Sequence, residues 1–150
     1  MRKSNDVARA KRIQYAALPY RLNRRSRTEI MLVTSRGTQR WIIPKGWPQP
    51  GRAAPDSAAH EAFEEAGVVG SVGRRSVGSF SYEKRLRNGA VVVCEVRVFP
   101  LKVTRQTKQW PEKDQRQVKW LPAKEAAEIV QEDKLSEIIR RLANKPAAKT

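Results

Sequence analysis

Three glutamates stand close together in a chain that is otherwise strongly basic. Glu61, Glu64 and Glu65 fall within five positions, although the 150 residues carry 31 Lys and Arg against 15 Asp and Glu, a formal net charge of +16. On a helix, side chains three and four residues apart share one face, so these carboxylates would repel one another. The group is therefore either a solvated acidic face or a site for a hard divalent cation such as Mg²⁺, which prefers oxygen ligands.

The segment that carries these glutamates is predicted to be a helix over residues 55–66. Pro55 suits the first helical position, and Gly67 suits a left-handed C-terminal cap. Alanines and Phe63 cover the side opposite the carboxylates, so the helix is expected to lie close against a sheet. The Pro- and Gly-rich loop 45–51 directly precedes the helix and would bring backbone carbonyls beside the carboxylates. This loop favours a metal site over a solvated acidic face.

The stretch Gly46–Val68 resembles the signature of Nudix hydrolases. That signature is a glycine, five residues, Glu, seven residues, Arg-Glu, an apolar residue, any residue, Glu-Glu, any residue, a glycine and an apolar residue. The spacing agrees at all 23 positions, with Arg52 in place of the first Glu and His60 in place of the Arg. The flanking segments 32–48 and 120–130 resemble the diphosphoinositol polyphosphate phosphohydrolase branch and its bacterial relatives.

The resemblance implies a fold, an activity and a set of metal ligands. The implied fold is α/β, a Nudix-type α/β/α sandwich with a mixed β-sheet and a loop–helix–loop catalytic motif. The implied activity is hydrolysis of a phosphoanhydride bond with Mg²⁺ or Mn²⁺, which neutralises phosphate oxygens and lowers the pKa of the attacking water. The implied ligands are Glu61 and Glu65, with Glu64 as a third ligand or bridge, and the carbonyl of Lys45 or Gly46.

One carboxylate must accept the proton of the attacking water. It belongs either to the glutamates of the helix or to a later loop. Glu112 and Asp114, in the charged loop 104–117, are the predicted candidates for this distal base, ahead of Glu83 and Glu95.

The two departures from the signature bear on activity. Arg52 reverses a charge in the loop, where it could reach a substrate phosphate instead. His60 stands four residues before Glu64, so a neutral imidazole can orient that glutamate but supplies less positive charge than an arginine. We therefore expect metal affinity to be reduced but not abolished, with inactivity as the alternative.

Basic and aromatic side chains near the motif are candidates for binding the substrate. Arginine donates two parallel hydrogen bonds to a phosphate, whereas Trp47 could stack on a base or cover an inositol face. Trp110 is a weaker candidate, and Trp41 and Trp120 are expected in the core. For each arginine the alternative is a solvated surface charge. The predicted substrate-binding residues are Arg36, Arg40, Lys45, Arg52, Trp47 and Arg24.

The composition favours one domain, with a basic arm at 1–12, a Nudix domain at 13–143 and a loose tail at 144–150. Strands are expected at the start of the domain and in a hairpin that turns at Asn88-Gly89, with a broken amphipathic helix after Pro122. The expected strands are 14–22, 29–35, 40–44, 76–85, 89–101 and 118–122.

The net charge and the single cysteine bear on the cellular compartment of the protein and on its binding partners. Cys94 cannot form an internal disulfide, and no run is long and apolar enough to span a membrane, so we expect a cytoplasmic protein, monomeric or homodimeric. The positive charge serves solubility alone or attracts polyanions. A small phosphorylated polyanionic substrate is favoured over nucleic acid. The alternatives are an RNA 5′ pyrophosphohydrolase and a catalytically weak Nudix domain that binds nucleotide or nucleic acid as a regulator.

Overall fold

The computed structural model describes residues 11–145. Most of the predicted basic arm (1–12) and of the predicted tail (144–150) lies outside these residues. Lys11 and Arg12, which were expected at the end of the arm, begin the first strand. Within the described part of the chain, no helix combines the length and the hydrophobicity needed to cross a bilayer.

Strands and helices follow one another in an order that brackets one central helix. The strands are β1 (Lys11–Leu22), β2 (Thr28–Thr34), β3 (Trp41–Ile42), β4 (Lys45–Gly46), β5 (Val68–Val72), β6 (Gly78–Arg85), β7 (Val91–Gln106) and β8 (Val118–Pro122). The helices are α1 (Ala54–Ala66), α2 (Ala123–Ile129) and α3 (Asp133–Ala143).

The strands form one mixed sheet. Its order is β3-β2-β1-β7-β5, and β4, β6 and β8 pair with β1, β7 and β2. The long central strands β1 and β7 run parallel over ten paired positions, from Lys11↔Val93 to Tyr20↔Lys102, whereas the other pairs are antiparallel. The predicted mixed sheet is confirmed.

Helices cover both faces of the sheet. Successive residues of a strand point to opposite faces, so Ala17 packs on one side while Ala16 and Leu18 pack on the other. On the Ala17 side lie Ala58, Ala62 and Ala66 of α1, which are fully buried together with Met31 and Val33. On the other side lie α2 and α3, whose apolar residues are Ala126, Ala127, Leu135, Ile138 and Ile139. This is the α/β/α sandwich that the resemblance implied.

Local sequence explains the ends of α1. The helix has a proline in its first turn and ends at Gly67, which has φ of 70° and donates its N–H to the carbonyl of Phe63 at 2.9 Å. A Cβ built on Gly67 would overlap the ring of Trp110. Gly67 is therefore required both by the left-handed cap and by the close approach of the indole.

Two short strands were not predicted, β4 at the start of the expected loop 45–51 and β5 after α1. β5 follows the cap directly and was not predicted, because it is short and its register shifts between Val69 and Gly70. Gly70 lies so close to the carbonyl of Lys102 that a side chain would not fit. The break in the C-terminal amphipathic segment is confirmed, since α2 ends at Ile129 and α3 starts at Asp133.

Three glycine substitutions separate the backbone effect of the cap from its packing effect. Gly67→Ala is expected to lower the free energy of unfolding most, by about 3 kcal/mol, because it combines positive φ with the overlap on Trp110. Gly51 has φ of 79° but open space around it, so Gly51→Ala is expected to cost about 1 kcal/mol.

Gly37 has open space and is not in the left-handed region, which makes Gly37→Ala the control with an expected change under about 0.5 kcal/mol. Urea unfolding of the three variants measures the series. An equal loss in Gly51→Ala and Gly67→Ala would show that the indole contact adds nothing.

Candidate active site

A cavity of about 630 Å³ lies where β4, β6, the start of the β2–β3 turn and the loop after β7 meet α1. We call it the Glu65 pocket. It is lined by three carboxylates and four basic side chains, together with aromatic and amide groups. The carboxylates are Glu61, Glu65 and Glu112, and the basic residues are Arg36, Lys45, Lys84 and Arg116.

The loop before α1 is held against the first of these carboxylates. The carboxyl group of Glu61 lies so close to Gly46 that a Cβ on this glycine would overlap it. Gln49 Nε2 donates to Glu61 Oε2 at 3.3 Å, and Gly46 is fixed in turn by pairing with Tyr15 of β1. The backbone of β4 therefore forms one wall of the pocket, directly beside a carboxylate.

Glu65 is the most enclosed acidic side chain of the pocket. It is only 3% exposed, and burial raises the pKa of its carboxyl group to about 8, although the Arg116 guanidinium opposes the rise. Its Oε2 lies 3.7 Å from Arg116 Nη2, whereas Oε1 is buried without a hydrogen-bond partner among residues 11–145. Burial also raises the pKa of Glu61, and contacts with Glu65 and His60 partly oppose this.

Glu64 lies beside the pocket, outside its lining. Its carboxylate is about one-third exposed, and its Oε2 lies 3.6 Å from His60 Nε2. The contact that the sequence predicted between His60 and Glu64 is therefore present, one helical turn apart on α1.

Of the two residues predicted as distal base, the structure brings only Glu112 to the pocket. Its amide N–H donates to the carbonyl of Glu64 at 3.0 Å, and its carboxylate accepts from Arg116 Nε at 2.8 Å. Asp114 is exposed and does not line the cavity. The two weaker candidates also lie outside the lining of the cavity: Glu83 is exposed, and Glu95 lies 3.6 Å from Arg97.

Three of the predicted substrate-binding side chains line the pocket. Arg36 donates from Nη1 to Gln115 Oε1 at 2.8 Å, and Trp47 is 40% exposed at the pocket wall. Lys45 Nζ lies 4.8 Å from the ring centroid of Tyr82, and burial lowers the pKa of this lysine. A cation over an aromatic face inside a cavity is well placed to meet an anion.

The other predicted substrate-binding residues are elsewhere. Arg40 donates to Gln131 Oε1 at 2.7 Å and lies 3.4 Å from Glu132 Oε2, so it ties β3 to the start of α3. Arg24 is exposed in the β1–β2 turn, and Arg52 is exposed beside α1, outside the pocket lining.

The indoles other than Trp47 also lie outside the pocket lining. Trp41 and Trp120 pack against the two halves of the core, as expected, and Trp110 packs beneath Gly67.

A family model described as NUDIX domain matches residues 13–142. The chain belongs to the Nudix family. This confirms the family that the spacing of Gly46–Val68 predicted.

Named relatives and a solved structure resemble this Nudix chain at low identity. It is 29% identical over 133 residues to Nudix hydrolase 12, mitochondrial, of Arabidopsis thaliana, in a match that covers 79% of this chain and 66% of that protein. It is 31% identical over 106 residues to diphosphoinositol polyphosphate phosphohydrolase 3-beta of Bos taurus, covering 69% and 60%. The chain thus spans less than two thirds of the length of these relatives. The crystal structure of C. elegans Ap4A hydrolase has a TM-score of 0.63 at 16% identity, covers 89% of this chain and 96% of that one, and shares the fold.

The Nudix motif of this chain fits a divalent cation. In residues 11–145, no group of three or more His, Cys, Asp or Glu side chains converges to hold an ion alone. Mg²⁺, however, is commonly bound by one or two carboxylates, with waters and substrate phosphates completing its shell. Glu61 and Glu65 supply such a pair, and the unpartnered Oε1 of Glu65 is a buried acceptor that a cation would satisfy.

Sequence reasoning missed six polar residues of the pocket, which are Gln14, Ser35, Gln49, Tyr82, Lys84 and Arg116. Along β6, Tyr82 and Lys84 follow the buried Phe80 at every second position. This period of two places all three side chains on one face of the strand. Arg116 follows Glu112 by four residues in a loop, and nothing in that spacing indicates that its guanidinium reaches α1.

Glu65 is expected to give the metal-free protein a characteristic pH dependence. Its folded-state pKa of about 8 lies above the ordinary 4.5, so the folded protein holds an extra proton between these values. The contribution of this group to stability is therefore present at low pH and is lost as the pH rises towards 8.

Glu65→Gln keeps the shape of the side chain but does not titrate. We expect its stability relative to the native protein to rise from pH 6 to pH 8, by at most about 1.4 kcal/mol per pH unit, and then to level off. Urea unfolding in EDTA measures the difference, and Glu83→Gln, an exposed carboxylate on β6, is the matched control. Equal pH profiles for the two variants would contradict the burial of an acidic proton at Glu65.

Proposed function

We propose that this chain is a metal-dependent pyrophosphohydrolase that cleaves a phosphoanhydride bond in a small polyanionic substrate. The observation that carries the proposal is the buried Glu65 carboxyl group, which has one unpartnered oxygen and shares a pocket with Glu61, Lys45 and Lys84. Acidic and basic groups in one cavity suit a substrate whose phosphates bind both a cation and the protein. The family and the names of the relatives support hydrolysis of a phosphoanhydride.

The residues of the motif and of the pocket take different roles in the proposed reaction. Glu61 and Glu65 would hold Mg²⁺ or Mn²⁺, with Glu64 as the third predicted ligand and the carbonyl of Lys45 or Gly46 beside them. A bound ion of this kind neutralises phosphate oxygens and lowers the pKa of the water that attacks phosphorus in line. Glu112 lines the same cavity and is the residue that we assign to accept the proton, in preference to Asp114.

Basic and aromatic side chains of the pocket would bind the remainder of the substrate. Arg36, Lys45 and Lys84 can each donate to phosphate oxygens, and Trp47 offers an exposed indole face to the group that the phosphates link. A diphosphoinositol polyphosphate, a dinucleoside polyphosphate or a nucleoside diphosphate derivative would satisfy these contacts. The name of the bovine relative favours the first of the three. The cytoplasmic location and the monomeric or dimeric state stay predictions.

A substrate panel tests the activity and its alternatives together. The protein is incubated with Mg²⁺ or Mn²⁺ and diphosphoinositol polyphosphates, diadenosine polyphosphates, ADP-ribose, nucleoside triphosphates and 5′-triphosphate RNA, and the phosphate products are followed. We expect the greatest turnover on a small polyanion. Turnover of RNA alone would select the RNA 5′ pyrophosphohydrolase. No turnover, with tight salt-sensitive binding of nucleotide or RNA, would select the regulator.

Substitution of the metal-binding glutamates tests the site on whichever substrate is cleaved. We expect kcat to fall by about 100-fold or more in each of three variants, because each removes a negative charge that would bind the cation. The variants are Glu61→Gln, Glu64→Gln and Glu65→Gln. Glu83→Gln is the control for loss of one exposed carboxylate. Full activity in Glu64→Gln and Glu65→Gln would refute the assignment.

His60→Arg tests the departure at the signature arginine. An arginine one turn before Glu64 would orient that carboxylate by a forked hydrogen bond, so we expect Mn²⁺ to bind about threefold more tightly than to the native protein. His60→Gln supplies a neutral control. Titration of Mn²⁺ followed by electron paramagnetic resonance gives the affinities. Equal or tighter binding by the native protein would contradict the expectation.

A further inference from the structure

Arg116 is a buried cation in a protein whose arginines are mostly exposed. Its side chain is 8% exposed, and its guanidinium reaches three elements at once. Nε donates to Glu112 Oε1 at 2.8 Å, Nη1 donates to the carbonyl of Thr34 at 3.0 Å, and Nη2 lies 3.7 Å from Glu65 Oε2. The loop after β7, the end of β2 and α1 therefore meet at one side chain.

Burial of this side chain requires compensation. A guanidinium does not lose its proton in a protein, and a buried charge costs several kcal/mol unless it is paired and hydrogen-bonded. Here two carboxylates and a carbonyl surround it. The planar fork has fixed angles between its donors, so its two hydrogen-bond acceptors, the Glu112 carboxylate and the Thr34 carbonyl, are held at set positions relative to one another. Glu65 is held beside the fork by an ion pair at 3.7 Å rather than by a hydrogen bond. A lysine, with one compact ammonium group, cannot reproduce this geometry.

The other hydrogen bonds of the loop that carries Glu112 involve its backbone, Gln115 and Lys113, and none reaches the Glu112 carboxylate among residues 11–145. The Glu112 amide donates to the carbonyl of Glu64, and the Gln117 amide donates to Thr34 Oγ1 at 2.9 Å. These bonds place the backbone of the loop, but they do not direct the Glu112 carboxylate. Arg116 is the group that does so, since it bonds to that carboxylate directly.

We propose that Arg116 is a positioning residue, whose guanidinium holds the carboxylates of Glu65 and Glu112 in fixed relation across the Glu65 pocket. It supplies a permanent positive charge beside Glu65 from a different element, whereas His60 at the signature position lies 3.6 Å from Glu64, which does not line the pocket. The assignment rests on the proposed function for the roles of Glu65 as metal ligand and Glu112 as base.

The test compares Arg116→Gln and Arg116→Lys with Arg74→Gln, which breaks an exposed arginine–carboxylate pair with Asp56 and changes the net charge by the same amount as Arg116→Gln. Hydrogen exchange of the metal-free protein is measured first. We expect the amides of residues 112–117 to exchange at least about tenfold faster in both Arg116 variants, with α3 unchanged. Unchanged exchange in Arg116→Lys would overturn the proposal, and this variant decides the matter if Arg116→Gln does not fold.

The affinity for Mn²⁺, measured without substrate, gives the second readout. Removal of a positive charge by itself would tighten cation binding, whereas loss of positioning weakens it. We expect about tenfold weaker binding by Arg116→Gln, a smaller loss in Arg116→Lys and no change in Arg74→Gln. Equal or tighter binding by Arg116→Gln would overturn the proposal.

Kinetics on a cleaved substrate distinguish positioning from direct substrate binding. We expect kcat to fall in Arg116→Gln with KM nearly unchanged. We also expect Glu112→Gln to lower kcat by a smaller factor in the Arg116→Gln background than in the native protein. A rise in KM alone would instead assign Arg116 to the substrate phosphates. Because exchange and Mn²⁺ binding need no turnover, an inactive protein would refute the proposed function without deciding the role of Arg116.

Discussion

The burial of one carboxyl group, that of Glu65, governs the arrangement of the site. An acidic side chain at 3% exposure loses most of its hydration, and the rise of its pKa to about 8 expresses this penalty. The surrounding groups reduce the penalty in part: Arg116 approaches from the loop after β7, and Lys45 approaches from β4. One oxygen remains without a partner in residues 11–145. The fold thus maintains a site that is electrostatically incomplete, and a cation is the natural group to complete it.

Charge acts at two length scales in this protein. The net charge of +16 attracts polyanions over distances of the order of the Debye length, about 8 to 10 Å at physiological salt. Inside the pocket, individual contacts decide, because charges that are close together and partly buried are screened less than charges on the surface. Lys45, which is held over Tyr82, and Glu65 lie close enough to influence each other's ionisation. The acidic motif and the basic side chains around it are therefore complementary in the way that the proposed substrate, a phosphorylated polyanion bound with a cation, requires.

The sequence predicted what is encoded locally and by a long motif. The helix 55–66 to within one residue, the mixed sheet and the break before α3 follow from spacing or from the Nudix signature. The buried face of α1 was only partly predicted, because it includes Glu65, which was expected on the opposite side, and leaves Phe63 half-buried. The substrate-binding side chains were harder to predict, because their direction depends on partners distant in sequence. Arg40 pairs with Gln131 and Glu132, more than 90 positions away, and this contact takes it out of the pocket lining.

The same limit explains the residues that were missed. Arg116 is one of 31 basic residues, and its importance comes from Thr34 and Glu65, which only the folded chain brings to it. β5 was not predicted, because a short strand with a glycine and a shifted register shows no clear alternation of apolar and polar residues.

The buried alanines of α1 connect the packing of the helix on the sheet with the position of the carboxylates in the pocket. Ala58, Ala62 and Ala66 are fully buried against the sheet, and each leaves only a methyl group between the helix and the strands beneath it. The height of the helix above the sheet thus determines how far Glu61 and Glu65 stand from the fixed backbone of β4. A larger residue at any of these alanines would lift the carboxylates away from Gly46 and Lys45. In this protein, therefore, core volume and the geometry of the proposed metal site are not independent, and a substitution at these alanines would alter both.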